Sequence, residues 1–283
     1  MIRVLAALAL AACFASHAAP VEVKRWVPVK ALDSYGHEFT RDIMVTMFYE
    51  NSVDGPRPVV ILNHGRAPTP AERQALGRAS YLAVSKWLVQ LGYFVAVPTR
   101  IGYGVTGGPD VEDTRGCRNK TYGPGYAASA SQTVQVLEYL RGWKEAATDR
   151  VVVMGQSFGG TTAITVASMN LRGVLAAVNF AGGGGGRPAT HPGDPCSPHE
   201  MKRLFAEYGR TSRIPSLWLY SENDEYFGPK HPREWFEAFR EAGGRGDFIQ
   251  LPPHPTGGHG SFTKAPETWQ PQVEAFLREA LRR

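Results

Sequence analysis

The chain has 283 residues, of which 43% are hydrophobic and 20% are charged, and its formal net charge is +5. This composition is typical of a globular protein whose core is large enough to fold without disulfides, in one large domain or two small ones. Lys and Arg are scattered among Asp and Glu and form no basic runs, so the positive charge does not indicate a nucleic-acid partner.

The first residues have the pattern of a secretory signal peptide. A short positive start precedes an apolar run over residues 4–14, which is too short to span a bilayer. Small residues then predict cleavage after Ala18, with residues 1–18 as the signal peptide and 19–283 as a secreted or periplasmic domain that has no membrane span. The alternative is lipoprotein processing, because Cys13 ends a sequence, LAAC, that resembles a lipobox.

Strand and helix patterns alternate along the rest of the chain. The predicted strands cover residues 21–30, 39–49, 58–63, 93–98, 150–154, 174–180, 216–220 and 247–251. The predicted helices cover residues 78–91, 127–143, 158–170, 198–208, 232–242 and 268–282. Two opening strands followed by this alternation predict an α/β fold, with a mostly parallel sheet of about eight strands and helices on both faces.

Two long loops interrupt the alternation, and each holds one cysteine. Residues 102–126 contain Cys117, and the cap-like residues 182–213 contain Cys196. Long loops in a compact domain are usually lids or binding loops. In an oxidising compartment the two cysteines predict a disulfide, which would stabilise the fold by about 4 kcal/mol, with two free thiols as the alternative. Neither cysteine has the spacing of a zinc site, so no metal is expected.

A serine nucleophile is predicted from residues 155–160, which read GQSFGG. This is the G-x-S-x-G motif, and it lies between the predicted strand 150–154 and the predicted helix that starts at Phe158. The strained turn lifts the Ser157 hydroxyl out of the backbone, and the flanking glycines let strand and helix pass closely. The alternative interpretation is a serine that only caps the helix.

The acid of a catalytic triad should follow the nucleophile and precede the histidine. Asp224 stands just past the end of the predicted strand 216–220 and is the preferred candidate. Glu222 and Glu225 remain alternatives in the same loop. Asp194 comes before that strand, which argues against it.

The histidine of the triad is predicted to be His259. It lies in a glycine-flanked loop after the last predicted strand, where an imidazole can reach over the nucleophile. His254 shares this loop, but prolines on both sides stiffen its backbone. His231 follows the predicted acid by only seven residues and opens a helix, which favours a surface capping role.

The oxyanion hole should use two backbone N–H groups. One belongs to Phe158 at the start of the helix after the nucleophile, and the other to Arg66 in residues 63–66 (NHGR). His64 is then a scaffold residue and not a second base. The side chain of Arg66 could bind a substrate carboxylate or be solvated, and the sequence leaves both open.

Two glycine-rich segments resemble nucleotide-binding loops only superficially. Residues 182–186 lack the Lys and Ser/Thr of a phosphate loop, so backbone clearance near the site is the better interpretation. Residues 102–108 lack the strand-to-helix context of a dinucleotide fingerprint. No cofactor is therefore expected.

The ordered set of motifs resembles the dienelactone-hydrolase-like branch of the α/β-hydrolases. The resemblance rests on residues 62–65, 155–160, 220–224 and 258–259, and it covers residues 40–280. It implies the sheet architecture, cofactor-free hydrolysis and a triad of Ser157, Asp224 and His259. Dienelactone hydrolases themselves have a cysteine nucleophile and are not typically exported, which disfavours dienelactone as the substrate.

The sequence therefore predicts a hydrolase of small or short-chain carboxylic esters, with a small-molecule ester as its only expected partner. The pocket should lie between the two long loops and contain Tyr103, with Trp218 or Tyr226 near Ser157. One alternative is a peptidase of the prolyl-oligopeptidase type, which shares the order of the triad. The other is a catalytically silent binding protein of the cell envelope.

Overall fold

The computed structural model describes residues 20–52 and 54–282. The predicted signal peptide, its cleavage position after Ala18 and the alternative lipid site at Cys13 lie outside the described residues. Within the described residues, no helix combines the length and the apolar character needed to cross a membrane.

A sheet of eight strands forms the centre of the described chain. Strands β1 to β8 cover Val21–Leu32, Glu38–Tyr49, Arg57–Asn63, Phe94–Thr99, Ala146–Gln156, Val174–Phe180, Ser216–Ser221 and Gly246–Leu251. Their order across the sheet is β1-β2-β4-β3-β5-β6-β7-β8. Strand β2 runs opposite to the other seven strands, so the carboxyl ends of β3 to β8 meet at one edge of the sheet. Ligands of open α/β sheets bind at this edge.

The helices of the described chain form layers against this sheet. Helices α1 to α8 cover Pro70–Ala75, Leu82–Gln90, Tyr122–Leu140, Phe158–Ser168, Pro198–Thr211, Lys230–Glu241, Ser261–Lys264 and Gln270–Ala280, and short 3₁₀ turns cover Cys117–Asn119, Gly258–Gly260 and Pro266–Thr268. Helices α3 to α6 pack in succession, each against the next. Helix α2 contacts β4, and helix α8 contacts β6. The Trp87 ring of α2 packs against the ring of Trp269, which lies just before α8, with centroids 5.3 Å apart.

The central strands are buried because their sequences are apolar almost throughout. All six residues of β4 are buried, and the last five residues of β3 are completely buried. Strands covered by helices on both faces need such continuous apolar runs. The register of β3 against β5 pairs Asn63 with Gly155, so the loops that follow these two strands emerge side by side.

The predicted α/β architecture of about eight strands is confirmed, and several predicted boundaries are corrected. Helix α2 begins at Leu82 instead of Arg78, because Tyr81 before it has a left-handed backbone with φ 41°. Helix α3 begins at Tyr122, five residues earlier than predicted. Pro124 is tolerated there because the first N–H groups of a helix have no intrahelical partner.

The predicted cap-like segment 182–213 is shorter than expected. Its second part is helix α5, which packs beside α6 and places Phe205 against Trp218 at 4.8 Å, inside the helical layer. Only residues 182–197 remain as a loop at the site. The structure joins Cys117 to Cys196 by a disulfide, which ties this loop to the 3₁₀ turn before α3.

Candidate active site

Ser157 is the single residue between β5 and α4. Its φ is 57°, a left-handed conformation that non-glycine residues rarely adopt, and its N–H donates to the Phe180 carbonyl at 2.8 Å. A Cβ on Gly155 would lie 2.1 Å from the Gly159 carbonyl oxygen, and one on Gly159 would lie 2.2 Å from the Asn63 carbonyl oxygen. The two motif glycines therefore allow strand, helix and the loop after β3 to converge under the serine.

His259 places its ring directly over Ser157. The His259 Nε2 atom is 2.9 Å from the Ser157 hydroxyl oxygen. The histidine backbone is held on both sides, since its N–H donates to the Glu225 carboxylate at 3.0 Å and its carbonyl accepts from Gln156 at 3.2 Å. Tyr226 stacks on the imidazole with ring centroids 4.0 Å apart. These contacts fix the ring in a single orientation.

Asp224 lies behind His259 and is completely shielded from solvent. Its two carboxylate oxygens are 2.9 and 3.1 Å from His259 Nδ1. One of these oxygens also accepts the backbone N–H groups of Tyr226, at 2.8 Å, and Phe227, at 3.1 Å. Because a carboxylate accepts, Nδ1 carries the proton, which leaves Nε2 free to accept the hydroxyl proton of Ser157. Ser157, His259 and Asp224 therefore form a continuous hydrogen-bonded chain.

The alternative acids occupy other places. Glu222 is exposed, and Asp194 lies beside Arg187 at 3.4 Å. Glu225 is near the site, but its carboxylate accepts from the backbone N–H of His259 and not from the ring. It supports the loop that carries the histidine.

The alternative histidines are also remote from the serine hydroxyl. His254 is half-buried, and its Nδ1 faces Thr256 at 3.2 Å. His231 stacks on Trp235 in α6, with ring centroids 6.1 Å apart. Neither ring has a hydrogen bond to Ser157 or Asp224 among those found in the described chain.

Residues 63–66 and the start of α4 line the site beside Ser157. Phe158 is the first residue of α4, so its N–H has no intrahelical partner. His64 is buried, with Nδ1 donating to the Gly65 carbonyl at 2.7 Å and Nε2 accepting the Arg100 N–H at 3.2 Å. Burial, reinforced by the Arg100 charge, holds the pKa of His64 well below its usual value. His64 is thus a neutral scaffold residue.

The side chain of Arg66 is paired inside the protein. Its guanidinium donates two hydrogen bonds to Asp110, at 2.6 and 2.5 Å, and Arg73 approaches the same carboxylate at 3.2 Å. Burial lowers the pKa of Arg66, but the hydrogen bonds with Asp110 and the interactions with Tyr103, Asp110 and Glu112 together outweigh this effect, and the net shift is upward. This pairing argues against a solvated side chain, and binding of a substrate carboxylate by Arg66 stays a hypothesis.

Two cavities flank Ser157, and both are lined by Arg66, Pro68 and Tyr226. The larger, first cavity has a volume of about 440 Å³ and the second cavity about 260 Å³. The first cavity is also lined by His64, Gly65, Ala67, Leu76, Arg78, Ala79, Ser80, Tyr81, Gln156, Ser157 and His259. The second cavity is also lined by Asp113, Thr114, Arg115, Lys120, Ser157, Phe158, residues 183–186 and Phe227.

The structure places only one of the three predicted pocket residues at these cavities. Tyr226 lines both, whereas Tyr103 and Trp218 line neither and are corrected here. Tyr103 is buried because its hydroxyl donates to Glu112 at 2.7 Å. Trp218 is buried because its strand position turns the side chain into the helical layer, where its indole N–H donates to Ser216 at 2.9 Å.

The long loops 102–126 and 182–213 contribute to the second cavity as predicted, but the first cavity uses a segment that the sequence did not single out. That segment, residues 76–81, contains Leu76 and Tyr81. The left-handed backbone of Tyr81, which brings its hydroxyl 3.5 Å from Gln156, gives no sequence signal. Across residues 20–52 and 54–282, no group of three or more potential metal ligands is found.

The glycine run Gly182 to Gly186 passes between aromatic rings at the second cavity. A Cβ on Gly183 would lie 2.7 Å from the Trp235 ring, and a Cβ on Gly184 would lie 2.7 Å from the Tyr122 ring. The Tyr122 hydroxyl donates to the carbonyls of Gly184 and Cys196. The run thus gives the backbone clearance that the sequence predicted.

Comparison with known proteins identifies the family of this chain. The model of the dienelactone hydrolase family matches residues 73–281. The chain belongs to the dienelactone hydrolase family. It is therefore a hydrolase of the α/β-hydrolase superfamily, as the motif resemblance predicts. No curated protein gives a significant sequence match.

Solved structures share the fold of this dienelactone hydrolase family member at low identity. A protein of Klebsiella pneumoniae assigned as a dienelactone hydrolase is 16% identical, with a TM-score of 0.60 over 91% of this chain and 99% of that one. An acetyl xylan esterase from a Paenibacillus species is 15% identical, with a TM-score of 0.60 over 92% of this chain and 89% of that one.

The fold is also found as part of larger enzymes. The acylaminoacyl peptidase of Pyrococcus horikoshii is 14% identical, with a TM-score of 0.63, and the match covers 92% of this chain but only 42% of the peptidase. At such identities these likenesses establish the shared fold and not a shared substrate.

Proposed function

We propose that this protein hydrolyses carboxylic esters through an acyl-enzyme on Ser157. The observation that carries the proposal is the hydrogen-bonded chain from the Ser157 hydroxyl through both ring nitrogens of His259 to the buried carboxylate of Asp224. Ser157, at the end of this row of hydrogen bonds, lines two cavities large enough for the two sides of a small ester. A base, a nucleophile and an orienting acid in this order are the requirements of acyl transfer.

In the acylation step the Ser157 oxygen attacks the ester carbonyl carbon while His259 Nε2 takes the hydroxyl proton. The carbonyl oxygen becomes an oxyanion, which the backbone N–H groups of Phe158 and Arg66 stabilise in our proposal. The tetrahedral intermediate collapses, and the alcohol leaves with the proton from His259. Asp224 stabilises the transient imidazolium and keeps its ring oriented.

In the deacylation step water takes the place of the alcohol. His259 removes a proton from the water, and the resulting hydroxide attacks the acyl carbon. The second tetrahedral intermediate expels Ser157, which regains the proton from His259, and the carboxylic acid leaves. His259 passes on each proton that it takes, so no other group has to accept or donate one. The net reaction converts one ester and one water into a carboxylic acid and an alcohol.

The test combines a probe and a substrate pair. A fluorophosphonate should label Ser157 in the wild type, as located by mass spectrometry, and should not label Ser157→Ala. A p-nitrophenyl ester and the matched p-nitroanilide should then be compared at equal concentration. Faster anilide hydrolysis would favour the peptidase alternative, and absence of labelling would favour the silent binding protein.

We also propose that the protein is exported to the periplasm or beyond. The N-terminal sequence pattern and the disulfide between Cys117 and Cys196 support this, because disulfides persist in oxidising compartments. Mass spectrometry of the mature protein should give Ala19 as its first residue. A diacylglyceryl group on Cys13 would instead establish the lipoprotein alternative.

A further inference from the structure

A charged pair is completely buried beneath the proposed oxyanion hole. Arg100 and Glu112 both have no exposed surface, and the Arg100 guanidinium forms two contacts with the Glu112 carboxylate, through Nε and, at 3.2 Å, through Nη2. The Tyr103 hydroxyl donates to the same carboxylate at 2.7 Å. Burying two charges costs desolvation energy that their attraction often fails to recover, so stability alone is a weak reason for the pair.

Arg100 also holds the loop that precedes the proposed Arg66 donor. Its Nη1 donates to the His64 carbonyl at 2.9 Å, and its backbone N–H donates to His64 Nε2 at 3.2 Å. His64 is therefore fixed at its backbone and at its ring by one residue. The His64 ring in turn donates through Nδ1 to the Gly65 carbonyl at 2.7 Å, and this carbonyl shares a planar peptide unit with the Arg66 N–H, so His64 holds the direction of that N–H.

The same cluster reaches the second proposed donor, Phe158. The guanidinium carbons of Arg100 and Arg66 each lie 5.9 Å from the centre of the Phe158 ring, and Tyr126 stacks on this ring at 4.2 Å. Arg66 is itself paired with Asp110, two residues from Glu112 in the same loop. The loop after β4 thus contacts both residues that would supply the N–H groups.

We propose that Arg100 and Glu112 form a positioning unit that sets the separation and direction of the Phe158 and Arg66 backbone N–H groups. This inference rests on the proposed ester hydrolysis. A developing oxyanion needs its donors at about 2.7–3.1 Å, and loss of one donor costs about 10²- to 10³-fold in kcat. A displaced donor retains part of its effect, so disturbing the unit should cost about 10- to 100-fold.

The decisive variant replaces both charges together, as Arg100→Met with Glu112→Leu. Removing a buried pair as a whole leaves no unpaired charge, and such replacements are often neutral or stabilising. We expect a folded protein with a lower melting temperature, because the Tyr103 hydroxyl and the His64 carbonyl each lose a buried hydrogen-bond partner. We also expect a kcat about 10- to 100-fold lower and a KM within about 3-fold of the wild type. The rate of fluorophosphonate labelling should fall with kcat, because phosphonylation also develops charge in the oxyanion hole.

A readout specific for the oxyanion separates positioning from mere packing. A trifluoromethyl ketone forms a tetrahedral adduct on the serine, and its Ki should rise by the same factor as kcat falls. Arg100→Lys is the second variant, since it keeps a cation opposite Glu112 but offers no fork to hold Glu112 and the His64 carbonyl together. It should show the same split between kcat and KM, and it tests the inference if the double variant does not fold.

The matched control is Arg73→Met. Arg73 is also buried and paired with the loop after β4, through Asp110, but it has no contact with His64 or Phe158 among those found in the described chain. Its kcat and labelling rate should stay within about 2-fold of the wild type. A control as impaired as the double variant would show that any disturbance of this loop suffices, which would overturn the inference.

The remaining outcomes separate the inference from the proposed function. An active wild type whose folded variants keep kcat, labelling rate and Ki overturns the inference and leaves ester hydrolysis standing. A wild type that neither hydrolyses esters nor reacts with the fluorophosphonate overturns the proposed function, and the inference with it. A parallel loss of kcat and rise of Ki at constant KM supports both.

Discussion

A serine hydroxyl is a weak nucleophile until a base takes its proton, and in our proposal His259 does so for Ser157. The base is effective only in one tautomer and one orientation. Asp224 sets the tautomer through Nδ1, while Glu225 and Tyr226 fix the backbone and the ring. Three residues are therefore expected to act as one unit, supported by two that do not react.

Single substitutions in this unit should each disable it. We expect Ser157→Ala, His259→Ala and Asp224→Asn to lower kcat/KM for a p-nitrophenyl ester by at least about 10³-fold, because triad members act cooperatively. Circular dichroism should show an intact fold for each variant. His254→Ala is the control and should stay near the wild type. Most of the activity surviving in His259→Ala would show that another group is the base.

His64 should make the protein sensitive to acid. Burial, with Arg100 nearby, lowers its pKa in the folded state well below the ordinary value of 6.5. As the pH falls below about 6.5, the unfolded chain gains a proton here that the folded protein does not. The contribution of His64 to the free energy of unfolding is therefore complete above about pH 6.5 and decreases below it, by up to about 1.4 kcal/mol per pH unit.

Urea unfolding at about pH 7.5 and about pH 5.5 measures this effect. His64→Gln has no titrating group, so its free energy of unfolding should fall less between these two pH values than that of the wild type. The slope with pH is the readout, since the substitution also changes the hydrogen bonds of the loop. Equal slopes in both proteins would contradict the prediction.

The residue types of the site follow from the order of motifs along the chain, but the directions of neighbouring side chains do not. Ser157, Asp224 and His259 each follow a strand whose carboxyl end reaches the same edge of the sheet, which sequence patterns reveal. Tyr103 and Trp218 lie equally close in sequence to such ends. The Tyr103 hydroxyl bonds to Glu112, which is paired with Arg100, and the Trp218 ring packs against Phe205 in the helical layer. These contacts turn both side chains away from the cavities.

Among the elements, strands are better predicted than helix starts, for a physical reason. A buried strand such as β4 is a short apolar run that begins soon after Gly92 and ends at Thr99, before Arg100. The start of α2 depends instead on the left-handed Tyr81, and the start of α3 lies in a glycine-rich stretch that suggests a loop. Helix α5 has a clear apolar face, yet only its packing on α6 shows that it is not part of a cap.

The disulfide should stabilise the two elements it joins. Cys117 lies in a 3₁₀ turn before α3, and Cys196 lies just before α5, 79 residues later. Replacing both cysteines by serine should lower the free energy of unfolding by about 2–4 kcal/mol, because the unfolded chain regains the freedom of this loop. Urea unfolding of the oxidised wild type and the double variant gives the difference.

Chemical reduction provides the control for this experiment. The wild type in a strong reductant should unfold at the same urea concentration as the double variant, and the variant itself should not respond to reductant. Equal stability of the oxidised wild type and the variant would contradict a stabilising role for the bond.

At the scale of the whole molecule, the sheet edge presents two shallow compartments instead of one deep slot. Leu76, at the first cavity, is 38% exposed, so this cavity is open to solvent along its apolar side. The second cavity ends against the glycine run and carries charged groups, among them Lys120. Helix α5 belongs to the helical layer, so of the predicted cap-like segment 182–213 the loop 182–197 is left to cover Ser157.

This shape should limit the length of acyl chain that the enzyme uses well. Each methylene of a substrate contributes about 0.8 kcal/mol when it is fully buried, and almost nothing when it stays in water. Because the first cavity is open to solvent at Leu76, we expect carbons beyond the first few of an acyl group to stay in contact with water and to regain little desolvation energy. We therefore expect kcat/KM for p-nitrophenyl esters to be highest from acetyl to butyryl and to fall through octanoyl to palmitoyl. A steady rise with chain length, or activation at an oil–water interface, would contradict this and indicate a lipase with a deep acyl site.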